Sequence, residues 1–252
     1  MKTIILVIMG LISIFNCYPG EGEKVGIGGS TGGESGLRDL DGNLYTSVII
    51  GTQEWMVENL RTTKFADGSD IQNVTLDDAW ALLGTSAYCW YENDIQYKDT
   101  NGALYNGYVV LDVKKLVEGQ FTENGEPSLG WRVPHLIGFE NGDWWTLSRY
   151  IGGSAIGGAK LKEIGFEHWR EEGVEGTDNY GFKGVASGFR FENGQFTEGP
   201  SPTGLKVATG MWGDYAIEPN GDYVELHYIN GIMLMSWMNN RTGMAVRCMR
   251  DI

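Results

Sequence analysis

The chain is 252 residues long and carries 19 Lys and Arg against 33 Asp and Glu, a formal net charge of −14 at pH 7. So acidic a surface argues against nucleic acid and against an anionic lipid face as partners, because both would be repelled. Nine Trp, twelve Tyr and nine Phe exclude disorder for the body of the chain, which has ample apolar area to bury.

At the N-terminus, Met1-Lys2-Thr3 precedes an apolar run from Ile4 to Ile14, and Phe15-Asn16-Cys17 follows. One basic residue ahead of such a run is the pattern of a secretory signal. The run is shorter than the roughly 18 apolar residues of a membrane span. A Cys at the end of the apolar core predicts cleavage before Cys17 and lipidation of its thiol. Phe15 and Asn16 depart from the small residues that usually precede such a Cys, so secretion with an incidental Cys17 is the alternative. The predicted organisation is a lipoprotein signal peptide over 1–16, a Gly/Ser-rich tether over 17–36, and one domain over 37–252, large enough for a single core. The expected location is the cell envelope, as an outer-membrane or cell-surface lipoprotein.

Asp41-Gly42-Asn43 reads as a turn, and Leu44 to Ile50, rich in β-branched and aromatic residues, as a strand closed by Gly51. Leu76 to Leu83 predicts a short helix capped by Thr75, with Asp77 and Asp78 in its first turn. Trp144, Leu147 and Ile151 have helical spacing, and Gly152-Gly153 stops that helix. From Phe182 to Phe196 aromatic and polar residues alternate around Asn193-Gly194, a hairpin signal. Tyr223 to Tyr228 alternates likewise ahead of a turn at Asn230-Gly231, and Gly243 to Arg250 reads as a final strand. With 38 Gly, no long helix and no internal repeat, the expected class is α+β, with short antiparallel strands, about two helices and long ordered loops. Besides Cys17 only Cys89 and Cys248 occur; one disulfide and two buried free thiols are both open. Without a CxxC or a Cys/His cluster, structural zinc is not expected.

A set of short motifs runs through the body: Asp39 to Tyr45, Val48 to Gly51, Gln53 to Leu60, Gly102 to Asn106, Gly130 to Pro134, Trp145 to Leu147, Gly158 to Lys162, Thr177 to Phe182, Gly188 to Arg190 and Val246 to Asp251. In this order they resemble the Fibrobacter succinogenes major paralogous domain over about residues 37–252. The resemblance implies an exported or surface protein, often a lipoprotein, with a compact C-type-lectin-like fold similar to that of formylglycine-generating enzymes. It implies no particular activity. The chain departs from the pattern in a longer insert between Pro134 and Trp145, and in lacking two Cys the family often carries, so neither Cys89 nor Cys248 inherits a partner.

Glu218-Pro219-Asn220 is similar to the tripeptide that holds calcium in sugar-binding C-type lectins, and Trp237-Met238-Asn239-Asn240 follows it. Calcium takes six to eight oxygens, and Glu218, Asn220, Asp222, Asn239 and Asn240 supply several. The same residues also read simply as a turn. Trp212, Tyr215 and Trp237 flank this stretch and form the candidate stacking surface for a ligand. Cys248 is the one thiol near the region where formylglycine-generating enzymes carry theirs, and a buried structural thiol is the expectation there. Gly28 to Gly32 satisfies GxSxG but lies in the tether with no strand before it, and Asp39 to Asn43 has its Gly too early for an EF-hand. His135, His168 and His227 are isolated, and Glu171-Glu172 has no carboxylate partner fixed by sequence.

These residues predict a non-catalytic domain that binds a glycan or protein through its loops between about Gly210 and Asn240, with no cofactor beyond the calcium considered above. A structural surface component and an extracellular enzyme are the alternatives. Fatty-acid labelling that survives hydroxylamine is expected on the full chain and is lost in Cys17→Ala; labelling unaffected by that substitution contradicts the anchor.

Overall fold

The computed structural model describes residues 36–112, 115–136, 142–196 and 205–252. The expected signal peptide, Cys17 and the tether up to residue 35 lie outside the described residues, as does the GxSxG stretch. So do residues 137–141 of the insert.

Thirteen strands and five α-helices occur among the described residues. The strands are β1 (Leu37–Arg38), β2 (Leu44–Tyr45), β3 (Ser47–Ile50), β4 (Gln53–Met56), β5 (Gln72–Asn73), β6 (Ala87–Cys89), β7 (Leu104–Tyr105), β8 (Thr122–Glu123), β9 (Glu126–Pro127), β10 (Ala208–Ile217), β11 (Asn220–His227), β12 (Met233–Asn239) and β13 (Met249–Asp251). The helices are α1 (Asp77–Ala81), α2 (Lys98–Asn101), α3 (Gly107–Leu111), α4 (Asp143–Tyr150) and α5 (Ser154–Leu161). They form four small sheets, β2-β1-β8-β9, β10-β11-β12, β13-β4-β3 and β5-β6-β7, antiparallel apart from β5 on β6. The class is mixed α+β, mostly sheet.

Only β10, β11 and β12 exceed four residues, and they separate two cores. Side chains alternate across a strand with a period of two. Ala208, Trp212 and Tyr223 therefore enter one cluster, with Tyr105, Trp131 and Phe189. Met211, Val224, Leu226 and Met233 enter the other, with Trp55, Trp144 and Phe182. A third, smaller cluster around Trp80 and Tyr91 lies against α1.

The Leu44–Ile50 expectation holds as β2 and β3. Gly51 at φ +67° turns the chain into β4, with Ile50 opposite Gln53. Helix α4 also matches its pattern: Trp144, Leu147 and Ile151 are buried, and the Gly153 N–H caps the Ser148 carbonyl at 2.8 Å. Helix α1 forms within the expected Leu76–Leu83 stretch but is shorter, Asp77–Ala81, with Leu76 as its N-cap and no side chain capping it. Thr75 does not cap it; its carbonyl accepts instead from Asn93 Nδ2 and Arg190 Nη2. The expected final strand is shorter than Gly243–Arg250. Gly243, Met244 and Ala245 each bridge a different neighbour (Arg190, Tyr105 and Met211), so pairing as a strand begins only at Met249. Cys89 and Cys248 are free thiols in different clusters, and burial pushes both up, Cys89 to about 12. Neither thiol is set up as a nucleophile.

With so little regular pairing, many carbonyls need other donors. Three buried cations supply them. Lys162 Nζ donates to the carbonyls of Val174 (2.5 Å), His227 (3.2 Å) and Asn230 (3.3 Å). Arg190 donates to Gly194 (2.7 Å), Val74 (2.5 Å) and Thr75 (2.9 Å) and meets Asp77 at 3.0 Å. Arg247 donates to the Phe182 carbonyl (2.5 Å) and, through Nε and Nη2, to Asn59 Oδ1. Aromatic rings lie beside all three: Trp169 by Lys162, Trp80 and Phe196 by Arg190, and Phe182 by Arg247.

Candidate binding cleft

The Asn193-Gly194 turn makes one wall of a cleft of about 500 Å³. Phe191 N–H donates to Gln195 O and Gly194 N–H to Phe191 O, both at 2.9 Å, and Asn193 Oδ1 accepts from the Gln195 N–H. Gly194 is required here. Its φ is +87°, and a Cβ would stand 2.3 Å from the Asp77 carbonyl. Arg190 Nε, bonded to Gly194 O, ties this wall to the interior.

The other wall is the open end of the central sheet. Asn220 of β11 is opposite Asn239 of β12, and Asp222 is opposite Trp237. Asn220, Trp237, Met238, Asn239 and Thr242 line the cleft on this side, facing Phe191, Glu192 and Asn193. Trp237 is 46% exposed. Tyr215, carried on an irregularity of β10 between Trp212 and Ala216, packs against it at 5.9 Å and 74°. The chain beyond β12 is fixed by Asn240 N–H to Pro219 O (2.8 Å) and Thr242 N–H to Asn239 O (2.8 Å). Both walls are thus held by backbone bonds before any ligand arrives.

Of the three aromatic candidates, Trp237 lines this cleft, Tyr215 reaches it only by packing against Trp237, and Trp212 is away from it. Trp212 is fully buried, its indole N–H bonded to Tyr105 O at 2.8 Å; it is a core residue with no face for a ligand. The five calcium candidates divide between the cleft and its surroundings. Asn220 and Asn239 line the cleft, while Glu218 Oε1 accepts from Asn240 Nδ2 at 3.1 Å. Asn240 is buried with its Oδ1 against Gly221. Asp222 fills the space beside Gly213, and Gly221 and Asp222, being consecutive in a strand, face opposite sides of the sheet. Asp222 and Asn240 thus lie on different sides of β11, and no cluster of three or more His, Cys, Asp or Glu suited to a metal occurs among the described residues.

Glu192, Asn193 and Thr242 join the site without having been singled out as binding residues. Asn193-Gly194 announced itself only as a turn; nothing in sequence indicated that it would stand beside Trp237. His135 pairs with Asp214, and His168 with Glu163 at 2.9 Å. Glu171 and Glu172 are exposed. No helix among the described residues is long and apolar enough to cross a membrane.

The family model described as the Fibrobacter succinogenes major domain matches residues 48–250. No curated protein and no solved structure matches the chain.

Beneath the ring pair, Asp222 is fully buried; its Oδ1 accepts from the Tyr215 N–H at 3.2 Å and its Oδ2 has no partner. Burial is the main cause that pushes this carboxyl up to about 7, and nearby Asp214 adds to it against the Tyr215 bond and His135. A carboxyl raised in the fold favours the folded state most when protonated. Its contribution is present below the unfolded value near ~4 and is lost as pH rises through about 7. Asp222→Asn is therefore expected to flatten the fall in stability between those limits, seen as a gain over the parent in urea unfolding at pH 8 and none near pH 4. An equal difference at both pH values contradicts the assignment.

Proposed function

The chain belongs to the Fibrobacter succinogenes major domain family, and from that premise we propose that it is a surface lipoprotein whose domain binds a glycan, without catalysis, in the cleft beside Trp237. The exposed Trp237 indole carries this reading. An aromatic face stacks on the C–H face of a sugar ring, and amide side chains on either side, here Asn193, Asn220 and Asn239, donate to and accept from hydroxyls. Tyr215 holds the indole at one angle, which lowers the entropy lost on binding. Among the described residues the cleft lining carries one carboxylate, Glu192, whereas glycoside hydrolysis uses two; this supports a binding role over an enzymatic one.

We further read the fold as a C-type-lectin-like variant. A short antiparallel central sheet with long ordered loops on its margins supports that kinship. In this reading sugar binding proceeds without the lectins' calcium; the separation of Asp222 from Asn240 across β11 supports that. The apolar leader ending at Cys17 supports attachment to the cell envelope, with residues 17–36 as tether.

On a glycan array the full chain is expected to bind a defined set of oligosaccharides equally with calcium and with chelator. Trp237→Ala should weaken the best of them about tenfold, the loss of roughly one good stacking contact, while changing unfolding stability by less than about 1 kcal/mol. Flat binding across the array, or undiminished binding by Trp237→Ala, overturns the proposal.

A further inference from the structure

The charge inside the cleft narrows its ligands. Glu192 is exposed at the tip of the Asn193-Gly194 turn, and among the described residues it has no ion pair or hydrogen bond. No Lys, Arg or His among the described residues lines the cleft. Two cations lie close by in the chain, and both are engaged by the protein's own oxygens. Arg190 is buried under the turn, bonded to carbonyls and paired with Asp77. Arg241 reaches to the Ala81 carbonyl at 2.9 Å, with its Nε on Asn239 Oδ1. The chain as a whole adds a net charge of −14. A uronate, sulfate or sialate placed here would meet an unpaired carboxylate in a negative field, and the nearest guanidinium, Arg241, is already bonded to the Ala81 carbonyl and Asn239.

Resting on the glycan reading above, we infer that the cleft accepts uncharged and amino-bearing sugars and rejects anionic ones, with Glu192 as the residue that sets this selectivity. The turn that carries Glu192 is fixed by its own backbone bonds and by Arg190. The backbone from which this carboxylate extends is therefore fixed at the rim. Neutral sugars bind through Trp237 and the amides. A free amine on the sugar gains a charge-assisted hydrogen bond to Glu192. A carboxylated sugar meets repulsion, which acts by discrimination rather than by added affinity.

The test is an array holding neutral, free-amino and uronate members, followed by titration of the best neutral binder against its own aminated and C6-oxidised forms. The detergent-solubilised full chain is used throughout. The expected order is amino, neutral, then uronate. Glu192→Gln should cut the amino-over-uronate ratio about fivefold at low salt, and high salt should shrink the same ratio in the parent chain. Uronate or sulfated glycans binding best, or a ratio unmoved by Glu192→Gln, overturns the selectivity while leaving glycan binding intact. An array on which nothing binds overturns the underlying reading as well.

Discussion

The Arg190 guanidinium, with no exposed surface of its own, gathers the carbonyls of Val74, Thr75 and Gly194 around it and meets Asp77 at the edge of α1. Lys162 and Arg247 do the same elsewhere, each collecting carbonyls or an amide oxygen from segments far apart in the chain. Short strands cannot satisfy their own neighbours, and an orphaned buried carbonyl costs about 1–3 kcal/mol. A buried cation is itself costly to desolvate. Here that cost is offset because each cation faces oxygens that would otherwise lack a donor. Burial pulls Lys162 down to about 8 and Arg247 to about 10, so both stay charged at neutral pH.

The same arrangement reaches the proposed binding surface. Arg190 holds the Val74–Asp77 segment and the Gly194 turn together, and that turn is one wall of the cleft. The opposite wall belongs to the strands that divide the two cores. Trp212 and Trp237, 25 residues apart and alike in sequence, have opposite fates for this reason. One enters a core from the middle of β10; the other stands near the end of β12, where the sheet meets solvent.

Local patterns were legible where one element decides its own shape. Gly51, Gly152-Gly153 and Asn193-Gly194 were readable as punctuation because a positive φ or a chain reversal is a local demand. Helix α4 was readable because Trp144, Leu147 and Ile151 repeat with the helical period. What sequence could not supply was which segments meet. Thr75 looks like a cap, yet its carbonyl serves Arg190. Gly243 to Ala245 looks like a strand, yet each residue pairs with a different part of the chain. The motifs that carry Lys162, Arg190 and Arg247 were visible as a family resemblance, and their physical reason appears only once the carbonyls they hold are in place. Spacing along the chain likewise does not tell that Asn240 and Asp222 lie on different sides of β11.

Urea unfolding of Arg190→Met, followed by tryptophan fluorescence, tests this account most directly. Methionine keeps much of the side-chain volume and removes the donors. If the carbonyls of Val74, Thr75 and Gly194 depend on that guanidinium, the variant should lose about 3–5 kcal/mol of stability, or fail to fold. A variant as stable as the parent, or more stable, would show that Arg190 is merely tolerated in the interior and that the fold is held by its apolar cores alone.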